Sequence, residues 1–164
     1  MGTGGFFLRK LRGRVLDEPT GFVWAIDRQV AGSGYPAGKS QIIWVRKQGI
    51  GAILTLTEKP LPETTTKGLR IVFEHVPIPD HGLPTRDDLL RGTDFVRNQV
   101  REEKLVLVHC LAGEGRTGCF LAAYLIREKG MDPNEALTTL RAIKPLFVEK
   151  HQERSLFEFA GLRP

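Results

Sequence analysis

Residues 104–118, KLVLVHCLAGEGRTG, hold a strand, a turn and the start of a helix in one line. Leu105 to Val108 is a short apolar run with the composition of a buried strand. His109 and Cys110 follow, then a turn containing Gly113 and Gly115, then Arg116, Thr117 and Gly118. Phe120, Leu121, Ala122, Ala123, Leu125 and Ile126 supply the apolar face of a helix that ends in Arg127, Glu128, Lys129 and Gly130.

A strand that turns sharply into a helix leaves backbone N–H groups unpaired at the helix start, directed into the turn. Glycines allow the tight ring, and the helix dipole adds partial positive charge at the same spot. The stretch therefore predicts an anion cradle, formed by the amides of Leu111, Ala112, Gly113, Glu114, Gly115 and Arg116, with phosphate or sulfate as its guest. Arg116 can grip two oxygens of that guest in a bidentate fork, which a lysine cannot do. Cys110 stands at the entrance, where amide dipoles and a guanidinium favour a thiolate.

The rest of the chain supplies a frame for this loop. With 164 residues, 41% hydrophobic and 26% charged, it has the size and composition of one globular domain, spanning residues 1–164. No apolar run approaches a membrane span, and no signal-peptide core is present, so a cytoplasmic protein without a membrane partner is expected. Two cysteines, Cys110 and Cys119, are too few for a disulfide framework; Cys119 reads as a small core residue. The formal charge of +5 owes much to Arg9, Lys10, Arg12 and Arg14. They read as a solvated N-terminal arm over residues 1–20, ahead of a core at 22–161, with contact to an anionic substrate or RNA as the alternative. Neither aromatic interleaving nor a nucleic-acid-binding signature accompanies them, and a monomer with no obligatory nucleic acid is expected.

Strands are expected at Phe22 to Ile26 and Gln29 to Ala31, a helix from Ser40 to Gly49, and a strand at Ala52 to Leu56. An exposed loop from Glu58 to Lys67 leads to a strand at Arg70 to Pro77 and a proline-rich loop, PIPDHGLPT. Arg86 to Arg101 has helical spacing, with Asp87 and Asp88 in its first turn. Asp132, Pro133 and Glu135 start a helix that runs to about Ile143, and a last helix is expected around Glu149 to Ala160, with Leu156, Phe157 and Phe159 inward. This order predicts an α/β domain whose central, mainly parallel sheet is flanked by helices. Ligands belong at the carboxyl ends of such strands.

The pattern His109-Cys110-x-x-Gly113-x-x-Arg116-Thr117 resembles the signature of the cysteine-dependent protein tyrosine phosphatases, and most closely their small dual-specificity and archaeal-type members. The resemblance implies a two-step phosphoryl transfer with Cys110 as nucleophile and Arg116 gripping the phosphoryl oxygens. It implies that Asp80, in Ile78-Pro79-Asp80, is the general acid. Thr117 would hydrogen-bond the sulfur and help it leave, His109 would support the loop without acting as a base, and Gln152 would position water, although its spacing from Pro145 departs from the usual one. No metal or other cofactor is implied. The expected substrate is a phosphorylated protein or peptide carrying phosphotyrosine, with phosphoserine or phosphothreonine also accepted. Glu114 stands where phosphoinositide-directed relatives carry lysine. A lipid, inositol or RNA 5′-phosphatase uses the same chemistry, and a phosphate-binding module without turnover is the alternative of another class. A rhodanese-like or low-molecular-weight phosphatase fold shares the cysteine–arginine spacing, but the latter places its cysteine near the chain start.

Overall fold

The computed structural model describes residues 17–161. Strands β1 (Val23–Ile26), β2 (Val30–Ser33), β3 (Ile50–Thr55), β4 (Val72–His75) and β5 (Leu105–His109) form one sheet in the order β1-β2-β5-β3-β4. β1 pairs antiparallel with β2, and all other pairings are parallel. The β1–β2 turn carries Asp27 and Arg28 at φ 46° and 53°, the left-handed angles that match the twist of a hairpin. The helices are α1 (Lys39–Lys47), α2 (Glu63–Thr66), α3 (Arg86–Arg101), α4 (Gly115–Lys129), α5 (Pro133–Ile143) and α6 (Glu153–Phe159), with a 3-10 turn at Lys150–Gln152.

Alternation along the strands divides the core into two layers. Val106 and Val108 of β5, with Ala52 and Leu54 of β3, face α3, α4, α5 and α6, where they meet Leu89, Val96, Phe120, Leu121, Leu140 and Leu156. Leu107 and Ile53 face the other way, toward Ile42 and Val45 of α1 and toward Leu61. Ile50 and Ile53 share that face despite their odd spacing because the register slips between Ile50 and Ala52.

Several boundaries differ from the sequence reading. α1 starts at Lys39 with Gly38 as its N-cap, so Ser40 is not the cap, and no side chain caps this end. The loop after β3 contains the short α2. α4 starts at Gly115 rather than Thr117, and the last helical segment is a 3-10 turn followed by α6. Phe157 is only half buried, whereas Leu156 is fully enclosed. Residues 19 and 20, read from sequence as part of the N-terminal arm, pack on the fold: Pro19 is buried, and the carbonyl of Thr20 accepts the Gly34 amide at 2.8 Å. Arg9, Lys10, Arg12 and Arg14 lie outside the described residues.

Candidate active site

β5 is the central strand, and its carboxyl end delivers His109 and Cys110 to the rim where β2 and β3 also end. The loop from Cys110 to Glu114 then enters α4. Its tightest point is Gly113, at φ 73°, where a Cβ would stand 2.3 Å from the carbonyl carbon of Ser33. Only glycine meets both demands. The neighbouring β2–α1 loop braces the ring, with the Tyr35 amide donating to the Leu111 carbonyl at 2.9 Å. Inside the ring the Gly113 amide donates to the Cys110 sulfur at 3.2 Å, and the sulfur-bearing residue is 3% exposed. The amides of Gly115, Arg116 and Thr117 are first-turn groups of α4, which lack an intrahelical acceptor.

Arg116 is buried in the first turn of α4, and its fork is aimed at the Ile78–Asp80 loop. Nη1 donates to the Ile78 carbonyl at 2.9 Å, and Nη2 meets Asp80 Oδ1 at 2.6 Å. Sequence positions 80, 110 and 116 are thereby brought into one site. A second carboxylate joins them that sequence reasoning placed only in an exposed loop: Glu58 Oε1 accepts the Asp80 amide at 2.8 Å, while Oε2 lies 3.3 Å from Arg116 Nη1. Those backbone amides, its own and that of Asp80, together with Arg116, hold the Glu58 carboxyl below its ordinary range. Its place just past the carboxyl end of β3 was the available signal.

His109 is fully buried, and burial pushes it down to about 4, so it is neutral at physiological pH. Its Nδ1 faces the Cys110 carbonyl at 3.3 Å, and since a carbonyl only accepts, Nδ1 carries the proton. Nε2 therefore accepts the Thr55 hydroxyl at 2.9 Å. Through these two bonds His109 ties the start of the loop to β3. Thr117 corrects the sequence reading. Its hydroxyl is buried without a hydrogen-bond partner among the described residues, and the bond to sulfur is not formed. The Thr117 methyl packs toward β2, where a Cβ on Gly32 would come within 3.1 Å of it.

Gln152 is buried beside the loop: Nε2 donates to the Gly82 carbonyl at 2.9 Å, and Oε1 accepts the Glu149 amide at 3.1 Å. Cys119 is fully buried 3.7 Å from that Oε1, and desolvation raises its thiol well above the ordinary range, as suits a core residue. Asp88 caps α3 with Thr85, which explains why it stands away from the chemistry. Lys144 donates to the Gly113 carbonyl at 2.9 Å and lies 4.0 Å from Glu114, bracing the outer wall of the ring. The other histidines each have a partner: His75 donates to the Thr57 carbonyl, His151 to the His81 carbonyl, and His81 to Glu149.

Beside the ring, Tyr35, Thr57, Glu58, Lys59 and Leu111 line a cleft of about 430 Å³. No helix among the described residues is long and apolar enough to cross a membrane.

Comparison with known proteins agrees with this geometry. The crystal structure of Tk-PTP in its active form superposes with a TM-score of 0.77 at 31% identity, covering 83% of this chain and 94% of that one. The phosphatidylglycerophosphate phosphatase PTPMT2 of Arabidopsis thaliana is 29% identical over 125 residues, 73% of this chain and 54% of its own length. The CDC14-homologue tyrosine-protein phosphatase of Schizosaccharomyces pombe is 40% identical over 58 residues, 35% of this chain and 11% of its own. The chain thus spans about half or less of the length of these two curated relatives. A family model described as "Polymorphic toxin system, DSP-PTPase phosphatase" matches residues 31–130, from β2 to the end of α4. The protein belongs to that family, within the cysteine-based tyrosine and dual-specificity phosphatases.

Proposed function

We propose that this protein hydrolyses phosphomonoesters on phosphorylated proteins, phosphotyrosine first, through a phosphocysteine. The observation that carries the reading is the convergence of Cys110, its sulfur held by the Gly113 amide, with Arg116 and Asp80, whose side chains meet at 2.6 Å. In the first step the Cys110 thiolate attacks phosphorus and the P–O bond to the leaving group breaks. Asp80 gives the departing oxygen its proton. The Arg116 fork turns from the carboxylates to the equatorial oxygens, whose charge is the main thing to stabilise in a loose transition state. In the second step water attacks phosphorus, Asp80 takes its proton, and the S–P bond breaks to give inorganic phosphate and the free thiolate.

The adjoining cleft supports an aryl ester, because Tyr35 and Leu111 offer ring and aliphatic surface beside the phosphate ring. A lipid phosphomonoester is the second reading, supported by the phosphatidylglycerophosphate phosphatase of Arabidopsis, whose match covers 73% of this chain. The test is a panel of phosphotyrosine, phosphoserine and phosphothreonine peptides, phosphatidylglycerophosphate, phosphoinositides and 5′-phosphorylated RNA, with wild type, Cys110→Ser and Asp80→Ala side by side. Cys110→Ser is expected to lose turnover while still binding the ester, and Asp80→Ala to lose most with poor leaving groups. Turnover by Cys110→Ser equal to wild type would end the covalent scheme.

A further inference from the structure

The acid loop is gripped from a second side, away from Arg116. Gly82 accepts the Gln152 amide nitrogen at 2.9 Å, and the His81 carbonyl accepts His151 Nε2 at 2.7 Å. His81 Nδ1 donates to the Glu149 carboxylate, 2.9 Å from Oε1 and 3.0 Å from Oε2. All these contacts come from one short segment, residues 149–152, and land on the two residues that follow Asp80. The turn that leads into this segment is itself pinned. Arg141 donates to the carbonyls of Phe147 at 3.2 Å and Val148 at 2.8 Å. Val148 takes φ 62°, an angle a β-branched residue adopts only where its surroundings enforce it.

We propose that Glu149–Gln152 is a latch that holds the general-acid loop over the phosphate ring, with Glu149 acting through His81 as a positioning residue for Asp80, and that the latch slackens when His81 is neutral. Its catalytic consequence rests on the reading of Asp80 as the acid; the latch itself does not. His81 is faced by Glu149, by Asp80 with Nε2 3.8 Å from Oδ2, and by the more distant Arg116, whose charge opposes protonation. His151, with Nδ1 3.8 Å from Glu149 Oε2, competes for the same carboxylate, and Glu58 lies beyond Asp80 on its amide side. The Glu149 hydrogen bond, followed by the Glu149 and Asp80 charges, raises His81 above its ordinary range. A raised imidazole gives full hold below its ordinary value and loses it as pH climbs through the raised one.

The experiment is hydrogen exchange at the amides of Asp80, His81 and Gly82, read from about pH 6 to about pH 8.5 across the imidazole range and corrected for intrinsic rates. It needs no turnover. Wild type should lose protection roughly twofold to fivefold across that interval, the size expected of an exposed ion pair. Glu149→Ala should lack it at every pH, and His81→Gln, which keeps a donor but cannot titrate, should flatten the dependence. In steady-state assays Glu149→Ala should lower kcat more for phenyl phosphate than for para-nitrophenyl phosphate, with little change in KM. Wild-type protection and wild-type leaving-group dependence in Glu149→Ala would overturn the latch. pH-dependent protection in a wild-type protein that hydrolyses no ester would leave the latch standing and overturn the phosphatase reading.

Discussion

A methyl group at Gly113 would press on the Ser33 carbonyl carbon at 2.3 Å and force an alanine into φ 73°. Gly113→Ala should therefore displace the ring under the sulfur and cost on the order of tenfold in kcat/KM, in line with about 1–3 kcal/mol for overpacking. Steady-state kinetics alongside thermal melting separates the site effect from global instability. Glu58 does two things, and two substitutions separate them. Glu58→Gln keeps an acceptor for the Asp80 amide but removes the charge that competes with the ester for Arg116, so inorganic phosphate should inhibit roughly twofold to fivefold more tightly. Glu58→Ala loses both and should lower kcat; equal phosphate inhibition in Glu58→Gln and wild type would show that the pairing with Arg116 carries no weight. Thr117 buries a hydroxyl with no partner among the described residues, at a cost of about 1–3 kcal/mol. Thr117→Val should then raise the urea midpoint and leave the pre-steady-state burst unchanged. A fall in the midpoint would mean that the hydroxyl is satisfied.

At the scale of elements, α3 packs on α4 with Gly92 facing the Phe120 ring. A Cβ at Gly92 would lie 2.3 Å from Phe120 Cε1, and that ring is 2% exposed, with no room to swing out. Alanine favours a helix interior over glycine by up to about 1 kcal/mol. Overpacking a closed contact costs about 1–3 kcal/mol, so it wins, and Gly92→Ala should lower the urea midpoint without altering the catalytic residues directly. Denaturant titration reads the sign. α3 was placed from the helical spacing of its apolar residues and α5 from its capping box of Asp132 with Glu135; the structure adds a second reciprocal box, Thr85 with Asp88, at the start of α3. α1, whose N-cap glycine offers no side chain, gave no such signal.

For the molecule as a whole, the sheet register sets Thr55 opposite His109 and buries the imidazole between strand ends. The folded protein holds His109 down at about 4, while the unfolded chain titrates near about 6.5. Between those values the unfolded state binds the extra proton, so stability rises with pH; conversely it falls as pH drops from about 6.5 toward about 4. The full effect is on the order of 3 kcal/mol. Urea unfolding of wild type and His109→Gln across that interval should show a slope for the first that is absent from the second.

What the sequence determined by itself was local. The buried strand, the glycine turn, Cys110 and Arg116 lie within a dozen residues, and the α/β order of elements follows from periodicity and caps that each span one or two turns. The role of Asp80 was legible through resemblance, with its place past the carboxyl end of a strand as the one independent sign, since its own neighbours do not mark it off from a turn residue. Tertiary structure decided the rest, because those contacts join positions far apart in the chain. His81 meets Glu149 across 68 residues and Arg116 meets Glu58 across 58, and no periodicity records such pairs. It also decided against the Thr117–sulfur bond, since the packing of α4 on β2, rather than the order of residues, fixes where that methyl and hydroxyl stand.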